Sequence, residues 1–87
     1  MKTKLILTVQ TGIESYMVFK TLDLPFLCQP GMIVYDASEQ LTVNTVGFKT
    51  EDCGSLWVDL GTYKSKLANI DDAIGFFLNF GWNKYSI

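Results

Sequence analysis

Two cysteines and nine carboxylates are the residues with the chemistry to act as nucleophiles, acids or metal ligands in this 87-residue chain, because histidine is absent. Cys28 and Cys53 lie far apart in the sequence and lack the CxxC spacing of zinc and redox sites. No histidine is available to activate either thiol as a nucleophile. We therefore expect two free thiols in a reducing compartment, with a disulfide between them as the alternative.

Six of the nine carboxylates occur in pairs at predicted turns and at the start of a predicted helix. Turn and cap chemistry accounts for each pair. The pairs are Asp36 with Glu39, Glu51 with Asp52, and Asp71 with Asp72. The sequence contains no calcium-loop spacing, GxSxG elbow, GxGxxG fingerprint or GK[ST] phosphate loop. These absences predict no catalytic residue, no metal site and no cofactor, so we do not expect an enzyme.

The charged residues restrict the class of partner. All seven cationic residues are lysines and the net charge is −2. Without arginine, no side chain can form the planar bidentate hydrogen bonds that recognise phosphate or carboxylate. A chain with a net negative charge is also unlike the basic proteins that bind a nucleic-acid polymer. Residues 5–9 are too short for a signal peptide, and no apolar run reaches the roughly 18 residues that span a bilayer. We expect a cytoplasmic protein with neither nucleic acid nor a membrane as its partner.

Residues 1–87 are predicted to form a single domain, because this length is too short for two. The elements of this one domain must position any site. Hydrophobic residues make up 48% of the chain and charged residues 18%, which is not the composition of a disordered protein. The predicted fold class is α+β. We expect a small curled antiparallel sheet or partly open barrel of about five strands, with one C-terminal helix packed on it.

The first third of the chain predicts a hairpin and an apolar loop. Residues 3–10 alternate between apolar and polar side chains, and residues 15–22 are rich in aromatic and β-branched residues. Gly12 lies between them and predicts a tight turn. Residues 24–30 cannot continue a paired strand because Pro25 lacks a backbone donor. Their apolar side chains predict a loop that plugs an open end of the sheet.

The middle of the chain predicts three consecutive antiparallel strands at residues 32–36, 41–50 and 55–63. Apolar residues change from odd to even positions near residues 44–45, which predicts a bulge or a sharp bend there. Residues 51–54 predict the hairpin turn that follows. A bent strand within a meander favours a curled sheet.

A helix of about ten residues is predicted from Ile70 onward, with Asn69 as its N-cap and Gly81 just beyond its end. Its apolar residues cover an arc of about 200°, whereas an ordinary surface helix needs a little over about 100°. One interpretation is that the whole arc is buried between the sheet and the 24–30 loop. The other is that Phe76, Phe80 or Trp82 protrudes and binds a partner.

A second candidate surface lies on the 55–63 strand. Alternation predicts that Trp57 and Tyr63 share its outward face, and Lys64 and Lys66 follow directly. An edge strand protected by charge and by an aromatic cross-strand pair accounts for this pattern. Alternatively, the rings stack on the base of a nucleotide while the lysines hold its phosphate.

The expected function is non-catalytic binding that covers a surface on a protein partner, since such work needs apolar anchors and no catalytic base. Residues with AT-rich codons outnumber those with GC-rich codons, which suggests a phage or mobile-element inhibitor of a host system. We also expect a homodimer, because a second copy enlarges a thin core. The first alternative is a protein that sequesters a nucleotide-like ligand, and the second is a structural subunit of a larger assembly.

Overall fold

The computed structural model describes residues 2–52 and 54–85. Its elements in chain order are β1 (Lys2–Thr11), β2 (Glu14–Asp23), β3 (Ile33–Asp36), β4 (Glu39–Thr42), β5 (Thr45–Lys49), a 3-10 turn (Thr50–Asp52), β6 (Ser55–Lys64), α1 (Ile70–Leu78) and β7 (Asn83–Lys84). Strand β7 has no counterpart among the predicted strands. No helix within the described ranges is long and apolar enough to cross a membrane.

Five strands form one sheet in the order β5-β6-β1-β2-β7, and β3 and β4 form a separate two-stranded ribbon. Helix α1 packs on one face of the sheet, against β1 and β2. This arrangement confirms the predicted α+β class with a C-terminal helix on a sheet. The sheet is open, because its outer strands β5 and β7 do not pair with each other.

The strand pairing differs from the predicted meander in two ways. Strand β6 pairs with β1 in parallel, while the other described strand pairs are antiparallel. The predicted strand at 41–50 is interrupted at residues 43–44, next to the predicted bend. The two halves belong to different sheets, β4 to the ribbon and β5 to the main sheet. The meander is therefore wrong because the chain changes sheets at this break.

The β1–β2 hairpin forms as predicted. Gly12 has a φ of 56° and opens a two-residue loop, the position at which tight hairpins favour glycine. The alternate residues Leu5, Leu7 and Val9 are fully buried under α1 and the ribbon. This period-2 burial makes β1 the central strand of the core.

A bulge in β6 exchanges the faces of that strand. The register between β6 and β1 shifts beside Gly61, which has a φ of 77°. Beyond the shift, Tyr63 lies opposite Val9 on the face that α1 covers, whereas Trp57 lies opposite Lys4 on the other face. The expectation that Trp57 and Tyr63 share one face is therefore wrong, because an inserted residue reverses the alternation.

Helix α1 begins at the predicted N-cap. The Asn69 Oδ1 atom accepts hydrogen bonds from the backbone N–H groups of Asp71 at 2.8 Å and Asp72 at 3.3 Å. The two acidic residues also lie in the first turn, where the helix dipole favours them. One side of the helix is buried against the sheet through Ala73, Ile74 and Phe77. The predicted helix and its cap are confirmed.

Part of the predicted plug loop reaches the core. Cys28 is buried and Leu24 packs partly against the core, but Phe26 and Leu27 are exposed. The plug is therefore wrong for these two side chains, since α1 and the ribbon already cover this face of the sheet. Cys28 is a free thiol. Cys53, and with it the other half of the disulfide considered above, lies outside the described residues.

Candidate functional site

Trp82 is a core residue and not an exposed anchor. Its side chain is 2% exposed, and its ring packs edge-on against Phe77 with 5.9 Å between centroids. The indole Nε1 donates to Asp36 Oδ1 at 3.1 Å. Gly81, with a φ of 90°, turns the chain after the helix so that the next side chain points under it. The expectation that Trp82 protrudes into a partner is therefore corrected.

Phe76 and Phe80 do lie at the surface, on one side of α1. Phe80 is 44% exposed and Phe76 is half-buried. Their ring centroids are 5.4 Å apart at an interplanar angle of 56°. Phe76 also packs edge-on against the buried Phe77 at 5.3 Å. The core therefore holds one ring of this pair and leaves the other at the surface.

A cleft of about 350 Å³ lies beside this ring pair. Strand β4, the end of β6, the connection that follows it and α1 supply its lining, which consists of Glu39, Tyr63, Lys64, Ser65, Lys66, Leu67 and Phe76. The cleft thus joins Phe76, expected as a partner anchor, to three residues expected for the alternative ligand site. The fourth residue of that alternative, Trp57, lies on the opposite face of the sheet.

Tyr63 forms a wall of the cleft and packs against the core. Its ring packs edge-on against Phe77 with 5.2 Å between centroids. Burial raises the pKa of its phenol, and a hydrogen bond to the Glu39 carboxylate with the charge of that carboxylate raises it further. Tyr63 is therefore a neutral phenol near pH 7, beside the Glu39 carboxylate at the edge of the cleft.

Two lysines give the rim of the cleft a positive charge. Lys64 and Lys66 are exposed, and neither forms an ion pair with a carboxylate described in the structure. Leu67 lies next to them and is also exposed. The arrangement has an apolar floor and two available ammonium groups, which suits a bound group that combines an apolar side chain with negative charge.

On the opposite face of the sheet, Lys4 sits among three aromatic rings. Its Nζ lies 4.5 Å from the ring centroids of Phe19 and Trp57 and 5.2 Å from that of Tyr85. Because an ammonium group of the chain itself occupies the centre of these rings, we assign the cluster to stability. The sequence shows no local signal for it, since Lys4 and Trp57 meet through the parallel pairing of β1 with β6.

Among the described residues, the remaining reactive groups do not form a metal site. Burial raises the pKa of the Cys28 thiol, so it is protonated near pH 7. Within residues 2–52 and 54–85, no group of three or more Cys, Asp or Glu side chains is arranged to hold a metal ion. No protein-family model, curated protein or solved structure matches the chain.

Proposed function

We propose that this protein is a non-catalytic binding protein that covers a surface on a protein partner. The partner inserts an apolar side chain into the cleft beside Phe76 and places carboxylates opposite Lys64 and Lys66. The observation that carries this proposal is the row of apolar side chains that runs from Leu67 through Phe76 to Phe80, next to two exposed lysines that pair with no described carboxylate.

The apolar row has the features of a binding anchor. Aromatic side chains held rigidly at the centre of a patch supply most of the binding energy in protein interfaces. Phe76 is held by its edge-on contact with Phe77, so ordering its ring on binding costs little entropy. Phe80 and Leu67 extend the apolar surface on either side and remain exposed in the monomer. A partner side chain in the cleft removes all three from water.

The charges around the row indicate an acidic partner segment. Lys64 and Lys66 are the exposed positive charges on the rim of the cleft, beside the Glu39 carboxylate. Exposed rim charges contribute more to partner choice and association rate than to affinity. We therefore expect binding to weaken as salt rises, because the attraction between exposed charges is screened.

Capture from the source cell and its host, followed by identification of the bound proteins, tests this surface. Phe80→Ala and Lys66→Glu should each lower the capture of one protein by about tenfold or more, which corresponds to about 1.4 kcal/mol. Leu78→Ala is the matched control, since Leu78 is exposed at the end of α1 but lies about 160° around the helix from Phe76, which pairs with Phe80. Equal capture by Phe80→Ala and Leu78→Ala contradicts the proposed surface.

An inhibitor of a host system, encoded by a phage or a mobile element, is the specific form of this function that we propose. The residue usage, in which AT-rich codons prevail, supports such an origin. The captured protein should then belong to the host and lose its activity when the purified chain is added. Retention of full activity in the presence of excess wild-type chain contradicts the inhibitor form.

The same cleft supports a second candidate function, sequestration of a small nucleotide-like anion. Tyr63, Lys64 and Lys66 of the expected ligand set line it together, although Trp57 does not. A ligand that binds the folded chain raises its melting temperature by mass action. A shift with one nucleotide of a saturating panel, lost in Lys64→Glu, favours sequestration. No shift with any nucleotide, together with capture of a protein, favours the first function.

A further inference from the structure

The outer edge of β3 presents backbone groups that no described residue satisfies. Among the described strands, β3 pairs only with β4, and the two-residue loop between them makes Asp36 and Glu39 a hydrogen-bonded pair. Hydrogen-bonded pairs alternate along the ribbon, and the bond from Val43 N to Met32 O, 2.8 Å long, fits this order. Ile33 and Tyr35 lie between these hydrogen-bonded pairs, so their backbone N–H and C=O groups point away from β4.

This edge is also apolar. The side chain of Ile33 is 46% exposed and that of Tyr35 is 75% exposed. Proteins usually protect free edges with lysine, proline or a very short strand. The edge at β7 shows such protection, since β7 has only two residues, one of them Lys84. The run from Ile33 to Tyr35 contains no charge and no proline.

We infer that β3 pairs with β3 of a second copy of this chain, in antiparallel orientation, around a two-fold axis at Val34. In this register Ile33 lies opposite Tyr35 of the second copy, and the outward N–H and C=O groups of both residues are satisfied by about four interchain hydrogen bonds. Each Tyr35 ring packs on an isoleucine across the strands, a favourable aromatic and β-branched pair. The edge is thus complementary to itself.

The register also limits the assembly to two copies. Asp36 lies opposite Met32 of the second copy, so no like charges meet directly across the pair. The far edge of each ribbon is β4, whose outward residues Gln40 and Thr42 are exposed and polar. Two paired ribbons therefore form a four-stranded sheet with polar edges, which does not favour further addition.

Light scattering after size exclusion, at concentrations up to the solubility limit, tests the pairing. The wild-type chain should form dimers as concentration rises. Ile33→Lys and Tyr35→Lys should each raise the dissociation constant of the dimer by about tenfold or more. In either variant, each copy places one new lysine in the apolar interface. Gln40→Lys is the matched control on the opposite edge of the ribbon and should dimerise like the wild type. Far-ultraviolet circular dichroism checks that each variant folds.

Amide hydrogen exchange by NMR identifies the edge that pairs. Dimer formation should slow exchange at Ile33 and Tyr35 while leaving Gln40 and Thr42 unchanged. The inference is overturned if the wild-type chain stays monomeric at every concentration, if it forms filaments, or if Tyr35→Lys dimerises as well as Gln40→Lys. The proposed function fails separately, since Phe80→Ala lies on a different surface and should lose the partner while retaining the dimer.

Discussion

Lys20 Nζ lies 2.9 Å from Asp36 Oδ2, and this ion pair joins the main sheet to the β3–β4 ribbon. The second carboxylate oxygen of Asp36 accepts the indole N–H of Trp82 at 3.1 Å. Lys20 also donates to the Phe80 carbonyl at 2.8 Å, just beyond the end of α1. One half-buried pair therefore holds three elements together. Asp36 also directly precedes the turn that begins at Ala37, whose φ of 53° is unfavourable for a residue with a side chain.

Asp36→Ala should lower the free energy of unfolding by about 2–3 kcal/mol. The change leaves the Lys20 ammonium and the Trp82 indole N–H without their acceptor in a half-buried setting, and unpaired groups of this kind are costly. Urea unfolding followed by tryptophan fluorescence measures the loss. Glu51→Ala, at an exposed carboxylate in the 3-10 turn, is the control and should change stability by less than about 0.5 kcal/mol. Equal losses contradict the role of the ion pair.

Lys4→Met should destabilise the fold by about 1 kcal/mol. Methionine keeps the length and the apolar character of the side chain but removes the ammonium group from the centre of the three rings. Lys2→Met is the matched control, because Lys2 is exposed on the same face of the same strand. If thermal and urea unfolding show the same change for both variants, the ring cluster draws no stability from the charge.

Two residues at left-handed backbone positions should respond in opposite directions. Gly61→Ala should cost about 1–2 kcal/mol, since φ is 77° at the β6 bulge and alanine disfavours that region. Ser38→Gly should add about 0.5–1 kcal/mol, since φ is 60° at this exposed turn position. Gly47→Ala is the control, with no positive φ and no atom within 4 Å of the added Cβ. Melting temperatures of the three variants test the bulge and the turn separately.

Tyr63→Phe should reduce the fall in the free energy of unfolding that the wild-type protein shows as pH rises through the alkaline range. The pKa of Tyr63 is raised from 10.0 in the folded protein, by burial first and then by Glu39. Its contribution is fully present below about pH 10. As pH rises further, the unfolded chain loses the phenolic proton first, so stability falls until Tyr63 ionises in the folded protein as well.

Urea unfolding at several pH values between about 8 and 11 measures this fall, given the ordinary tyrosine pKa near 10. The wild type should lose more stability over that interval than Tyr63→Phe. Tyr16→Phe is the control, because Tyr16 is exposed on the hairpin. Parallel profiles for the wild type and Tyr63→Phe contradict a titration at this site.

The candidate cleft shows how far local patterns reach. One of the two interpretations of the helix placed Phe76 and Phe80 at the surface, and the sequence also predicted Lys64 and Lys66 beside an aromatic strand. Local patterns placed Tyr63 on the wrong face, because the bulge beside Gly61 is produced by pairing with a strand some fifty residues earlier in the chain. The same interpretation of the helix included Trp82, which is buried. The chain reverses at Gly81, and the packing of α1 on the sheet decides which way the Trp82 side chain then points.

The sequence by itself determined the features that depend on neighbouring residues: the alternation that buries one face of β1, the Asn69 cap, the helix it starts, and a disturbance of the 41–50 strand near residues 44–45. It also determined which side chains are present at all, hence the lack of histidine and arginine. Only the tertiary structure decided the parallel pairing of β1 with β6, and with it the faces of Trp57 and Tyr63. Strand partners are chosen by burial and hydrogen bonding between distant segments, and no local pattern records that choice.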